Sequence, residues 1–344
     1  MERGSAARPL TFKDTFGDAL RVIEEYLERG WTDGLPIVPP TAERVGEFVA
    51  ASGREASEDL GPVPPRMGRA TVEAVAVNAV MAGCRPEYMP VVLAAVEAAL
   101  APEFNLNGVQ ATTHMCSPLI LVSGPVVQRL GISAAANCFG HGHRANATIG
   151  RALRLVMVNL GGGHPEVGDH STLGAPSKFT FCIGVDEESP WEPFACEPPH
   201  SCLPGSTLKR TLEFVASAMA TMAHNVAHMG GQVLVVLSPL NAEGLAREGW
   251  TKDDVRRYLY EHARLPITKA RARFGETERR AIPERWPVWF TYADETDLVP
   301  VVRRPENILI AVAGGRGVAF NAVLPGWGYM GGWAVTRPVR LFQG

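Results

Sequence analysis

The residues of this chain best equipped for chemistry crowd into one stretch, from Ala111 to Lys178. In order they are His114, Met115 and Cys116; Cys138, His141, His143 and Arg144; then His164, Asp169, His170 and Lys178. Five of the nine histidines fall here, interleaved with thiols and glycines. If His114-Met115-Cys116 is extended, residues two apart share a face, so an imidazole and a thiol point the same way. Such a pair can bind Zn, Fe or Cu, or act as base and nucleophile. The plainer alternative is a buried cysteine beside a hydrogen-bonded histidine.

His141-Gly142-His143 is sharper, because glycine on both sides of His141 lets two rings converge on one ion. A solvated surface loop is the competing reading. A helix is expected to open just beyond, at Asn146; its N-terminus favours anions, and Arg144 adds a fixed positive charge there. Asn146, Arg151 and Lys178 join Arg144 as candidate substrate-binding residues. His164 and His170 lie in the loop after that helix and face the first pair if the chain doubles back. Asp169 fits a ligand, a partner that orients an imidazole, or a general base. The expected metal set is therefore His114, His141, His143, His164 and His170. Cys84 and Cys116 are the thiol candidates for catalysis.

A second cluster lies further along. His224 and His228 sit one helical turn apart, the zincin spacing, but position 225 is Asn rather than the Glu such proteases use as base. Cys196, His200 and Cys202 offer the remaining ligands of a structural zinc site, although their spacing is not that of a standard finger.

Other chemistries are disfavoured. Gly140 to Ala145 formally fits Gly-x-Gly-x-x-Ala, yet the preceding run of small residues is not a buried strand, so a nucleotide cofactor is not expected. Gly-x-Ser-x-Gly, a Walker sequence and Cys-x-x-Cys are all absent.

The elements that must position these residues show in the periodicity. Phe16–Arg29 reads as a helix, followed by a rigid turn-rich connector from Trp31 to Thr41, which caps a short helix running to Ala51. Gly53–Gly68, with three prolines, reads as a loop. Ala70–Gly83 and Met89–Leu100 read as apolar helices, the second with Pro90 in its first turn. Asn146–Leu160 carries an apolar stripe of Ile149, Leu153, Val156 or Met157, and Leu160. Strands are expected at Leu119–Ser123, Lys178–Val185, Val233–Leu237 and Ile308–Ala313. Helices are expected late in Leu208–Gly230, near Asn241–Glu248 and at Lys252–Ala263.

Strands alternating with helices predict an α/β fold, with mixed sheets and flanking helices in two α/β subdomains. The similarity of Leu119–Gly124 to Ile308–Gly314 hints at an internal duplication. The expected organisation is an N-terminal helix and connector over 1–69, a site-bearing domain over 70–204, and a C-terminal domain over 205–344 with an aromatic and glycine loop at its end.

Composition narrows the class. The 344 residues are 46% hydrophobic, enough for one large core or two smaller ones, and a net charge of −3 argues against nucleic acid. Neither a membrane-length apolar run nor a signal-like leader is seen. Six cysteines in a chain this long point to reduced thiols and a cytoplasmic setting.

Several strings resemble a bacterial family related to the UGSC-type selenoprotein-associated domain. They are Asp33 to Thr41 (DGLPIVPPT), Asn78 to Tyr88 (NAVMAGCRPEY) and Arg144 to Arg151 (RANATIGR). Ser189–Pro193, Gly249–Val255 and Tyr260–Arg264 are similar too. The resemblance covers most of the chain from Trp31. It implies association with thiol or selenol redox chemistry beside a partner subunit. Histidines at 141, 164, 170, 224 and 228 are not part of that family's pattern, which points to a chemistry special to this chain.

Together these features predict a metal-assisted enzyme acting on a small anionic metabolite by Lewis-acid or redox chemistry, as a lyase or oxidoreductase and as a homo-oligomer. A thiol-dependent oxidoreductase, or a subunit of one, is the first alternative. A non-catalytic binding or scaffold protein is the second.

Overall fold

The computed structural model describes residues 17–192, 209–221, 231–272, 294–317, 320–327 and 332–342. It is an α/β protein that divides into two compact units. Unit 1 comprises Met1–Ser133, Asn137–Gly184 and Val335–Gly344; unit 2 comprises Ala134–Ala136 and Val185–Ala334.

In unit 1, α1 (Gly17–Glu28) leads through the proline-rich connector to α2 (Ala42–Ser52). Thr41 opens α2 by accepting the Arg44 N–H, and Gly53 closes it with φ 64°, a conformation costly for any residue with a Cβ. Gly53–Gly68 differs from the loop expected of it. It holds β1 (Asp59–Val63), which pairs antiparallel with β2 (Gly68–Thr71) through a register shift. The prolines had masked the hairpin; Pro62 sits at the irregularity, where a missing N–H is tolerated.

Thr71 then caps α3 (Val72–Ala82), and Gly83 ends it at φ 86°. This helix is buried nearly all round, as its uniform apolarity requires. It packs most extensively on α7 (Arg144–Asn159), with α4 (Met89–Ala99) against both. Short helices α5 (Leu106–Ala111) and α6 (Val126–Leu130) flank β3 (Ile120–Val122), which pairs in parallel with β4 (Cys182–Gly184). One core runs from Val22 to Cys182, and Val339 and Leu341 of the returning C-terminal segment pack against it. Only the last part of the strand expected from Lys178 is extended: Pro176–Lys178 forms a 3-10 turn instead. The Thr180 hydroxyl bonds to the Ala147 carbonyl at 2.7 Å and draws this part of the chain onto α7.

Unit 2 is built on β5 (Val233–Leu237), buried at every position. It pairs in parallel with β8 (Ile308–Val312) and antiparallel with β9 (Ala322–Pro325). Helices α8 (Lys209–Met219), α9 (Pro239–Arg247) and α10 (Lys252–His262) accompany this sheet. A capping box between Thr251 and Asp254 starts α10. The small β6 (Arg264–Pro266) leads directly into α11 (Ile267–Ala272) and pairs antiparallel with β7 (Leu298–Pro300). Among the described residues no single helix is long and apolar enough to cross a membrane.

Candidate active site

Helix α7 positions the site, and its sequence explains how. Gly150 lies where a Cβ would come within 2.4 Å of Thr180 Oγ1 and 2.5 Å of the Phe181 nitrogen. Glycine therefore lets the 178–181 segment lie directly on the helix. One turn on, the buried Arg154 donates through Nε to the Lys178 carbonyl at 2.6 Å.

The helix ends in Gly161-Gly162-Gly163. A Cβ on Gly161 or Gly163 would collide with the buried Gln110 side chain, which itself donates to the Pro64 carbonyl. These glycines stop the helix, as their position suggested, and they also admit a close packing partner. In the loop that follows, the His164 carbonyl accepts from the Val167, Gly168 and Asp169 N–H groups. The resulting tight turn presents Asp169 and Ser171 beside the 112–117 segment.

There a polar cluster assembles. Lys178 Nζ donates to Asp169 Oδ2 at 2.5 Å and to Ser171 Oγ at 2.6 Å. The Ser171 N–H donates to Asp169 Oδ1 at 3.0 Å, and Ser171 Oγ donates to the His114 carbonyl at 2.7 Å. The Lys178 and Asp169 side chains are 15% and 12% exposed. Ser117 Oγ, on the facing segment, donates to the Ser177 carbonyl at 2.6 Å.

Burial works against the Asp169 carboxylate. The hydrogen bonds from Lys178 and Ser171 outweigh it, so the group is held below the usual carboxyl value. Burial also lowers the Arg154 guanidinium, partly offset by Asp169 and Asp33, but an arginine stays charged at any working pH.

The thiols are set the opposite way from a nucleophile. Burial pushes Cys84 up to about 12, against a hydrogen bond with Thr148 and the charges of Arg144 and Arg151. Burial pushes Cys116 up to about 11, although Lys178 pulls it back. Cys138 and Cys182 are raised for the same first reason. A reactive cysteine needs its thiolate stabilised.

Three of the expected substrate-binding residues are bonded to other parts of unit 1. Arg144 donates to the Gly83 carbonyl at 3.0 and 3.1 Å and to the Cys84 carbonyl at 3.4 Å, satisfying the C-terminal end of α3. Asn146 is buried, bonded to both backbone groups of Ser133 and to the Cys138 carbonyl. Arg151 forms a two-pronged pair with Asp33 at 2.8 Å for each contact, and also donates to the Leu35 and Pro36 carbonyls. The Asp33–Thr41, Asn78–Tyr88 and Arg144–Arg151 strings thus touch one another: Arg151 binds Asp33, and Arg144 binds the Gly83 and Cys84 carbonyls.

The histidines are dispersed. His114, His141 and His170 are exposed, while His143, at the helix N-cap, and His164 are half-buried. The backbone at His141 is held by Asn137, whose Nδ2 donates to its carbonyl at 2.8 Å. Among the described residues no three His, Cys, Asp or Glu side chains stand close enough to share an ion. Cys196, His200, Cys202, His224 and His228 lie outside the described residues.

Three members of the cluster, Arg154, Ser171 and Ser117, carried no signal of their own type. Arg154 could have been found from its setting: a guanidinium flanked by Leu153, Leu155 and Met157 in a buried helix has to meet a polar group. What fold and site define is an α/β protein with a largely buried, cation-rich polar cluster on its central helix. Comparison of the chain with protein-family models, curated proteins and solved structures returns no match.

Proposed function

We propose that this protein is an enzyme acting on a small anionic metabolite at the Asp169–Lys178–Ser171 cluster. The observation that carries the reading is the fixed ammonium of Lys178, largely buried between a carboxylate and a hydroxyl, on a residue whose backbone carbonyl accepts from Arg154. An ammonium oriented in this way stabilises negative charge developing on a bound anion, and a low local dielectric strengthens it. Asp169 and Ser171 hold the Lys178 side chain in one place. Proton transfer to or from the substrate then runs through this pair.

The metal-assisted form of the proposal adds Zn, Fe or Cu through histidines from the set 114, 141, 143, 164 and 170. Metal content of the purified, untagged protein tests that form separately. The family resemblance favours thiol redox chemistry instead, but the raised thiols support Lys178 over a thiolate as the working group.

The test is incubation with a panel of small hydroxy, keto and unsaturated acids in heavy water, followed by NMR. At least one acid is expected to exchange deuterium or turn over, with the rate falling about 10²- to 10⁴-fold in Lys178→Met and changing little in Cys116→Ser. Equal rates in Lys178→Met and wild type, or no acid altered by wild type, would overturn it.

A further inference from the structure

Beside the cluster, Ser117, Gly150, Arg154, Ser177, Lys178 and Phe181 line a crevice of about 10 Å³, room for a single water-sized group. Arg154 is only 8% exposed, and its one hydrogen bond among the described residues runs from Nε to the Lys178 carbonyl. Both nearby carboxylates are committed elsewhere, Asp169 to Lys178 and Asp33 to Arg151. Among the described residues, the three cations Arg151, Arg154 and Lys178 thus face the two carboxylates that act on Arg154, one positive charge in excess. A buried charge without a counter-charge calls for one.

We infer that Arg154 anchors the substrate, and that the substrate class is a small monocarboxylate with one oxygen inserted into this crevice. The rest of the molecule lies outward, toward Lys178. The charge excess of one matches a carboxylate monoanion, and the volume admits one oxygen. A phosphate, with nearly two charges, exceeds that excess. This inference rests on the reading that the cluster takes a small anion.

Saturation-transfer NMR of the whole protein with acetate and with formate, at constant ionic strength, reads binding without any turnover. Saturable transfer from wild type is expected, with no displacement by inorganic phosphate at equal concentration. Arg154→Gln and Arg154→Lys are expected to weaken acetate at least about tenfold, the scale of losing a charge-assisted contact. If neither variant folds, Ser117→Val keeps the Arg154 charge, adds a methyl group to the wall of a crevice with room for one oxygen, and is expected to weaken acetate several-fold. Absent transfer to wild type, displacement by phosphate, or unchanged acetate affinity in the variants that fold overturns the inference. Absent acetate binding together with Lys178-dependent turnover removes the anchor but leaves the enzyme reading. Acetate binding without turnover of any acid does the reverse.

Discussion

Replacing Asp169 with Asn should destabilise unit 1 far more than replacing its partner Lys178 with Met. Asp169 is the carboxylate that faces Lys178, while Arg154 lies in its field. Its amide would leave Lys178 and Arg154, joined through the Lys178 carbonyl, with only the Asp33 carboxylate acting on Arg154, and that one is paired with Arg151. Removing one member of a buried pair costs about 3–5 kcal/mol. The side chains here are 15% and 12% exposed and Ser171 Oγ remains as acceptor, so the lower end applies, about 3 kcal/mol. At about 2–4 °C per kcal/mol for a unit of this size class, the midpoint should fall by about 6–12 °C. Lys178→Met leaves a carboxylate that still accepts the Ser171 N–H and still feels Arg154, a loss of about 1–2 kcal/mol. The double variant strands no additional charge, so a coupling of about 2 kcal/mol is expected between the two sites. Urea unfolding of the four proteins, followed by fluorescence, measures all the terms of this cycle. Additive costs, or an Asp169→Asn loss below that of Lys178→Met, would refute the electrostatic account of the cluster.

The same carboxylate sets an acid limit. Its folded value lies below the ordinary one, so its contribution is complete above the unfolded value, about pH 4, and is lost as pH falls through the folded value. Acid titration of stability should show a limb below about pH 4 that is shallower in Asp169→Asn. Arg151→Met should cost about 3–5 kcal/mol, because it strands Asp33, whose side chain is 4% exposed; near-neutral stability would contradict the pairing. Gly163→Ala places a Cβ 2.0 Å from Gln110 Oε1 and should cost about 1–3 kcal/mol. Gly46→Ala, in α2 with nothing within 4 Å, should stabilise by about 0.4–1 kcal/mol, and denaturant midpoints compare the two. Alkylation at pH 8 should modify Cys116 before Cys84, with Cys84 at least about a hundredfold slower than in the unfolded chain; equal rates would show that burial does not hold the thiol protonated.

Local signals determined much of this molecule. Thr41 and Thr71 fix where α2 and α3 begin, and Gly53 and Gly83 fix where they end, because cap geometry depends on only a few neighbouring residues. The stripe from Ile149 to Leu160 identified α7, and continuous apolar runs identified β5 and β8, so the α/β class was legible. The stretch from Ala111 to Lys178 stands out in composition, and the polar cluster lies within it.

Its internal arrangement was not legible. Arg144 and Arg151 read as ligand-binding cations, yet each meets a backbone or carboxylate partner more than sixty or a hundred residues away in sequence. Arg154 sits between apolar neighbours in the sequence, yet it lines the crevice. The histidines, prominent by residue type, disperse over exposed and half-buried positions. Periodicity records which face of an element is buried, because that depends on spacing along one element. It does not record which distant group waits on the other side. Only the docking of the 161–184 segment onto α7, permitted by Gly150 and the Gly161–Gly163 run, decided that Lys178, Asp169, Ser171 and Arg154 would meet.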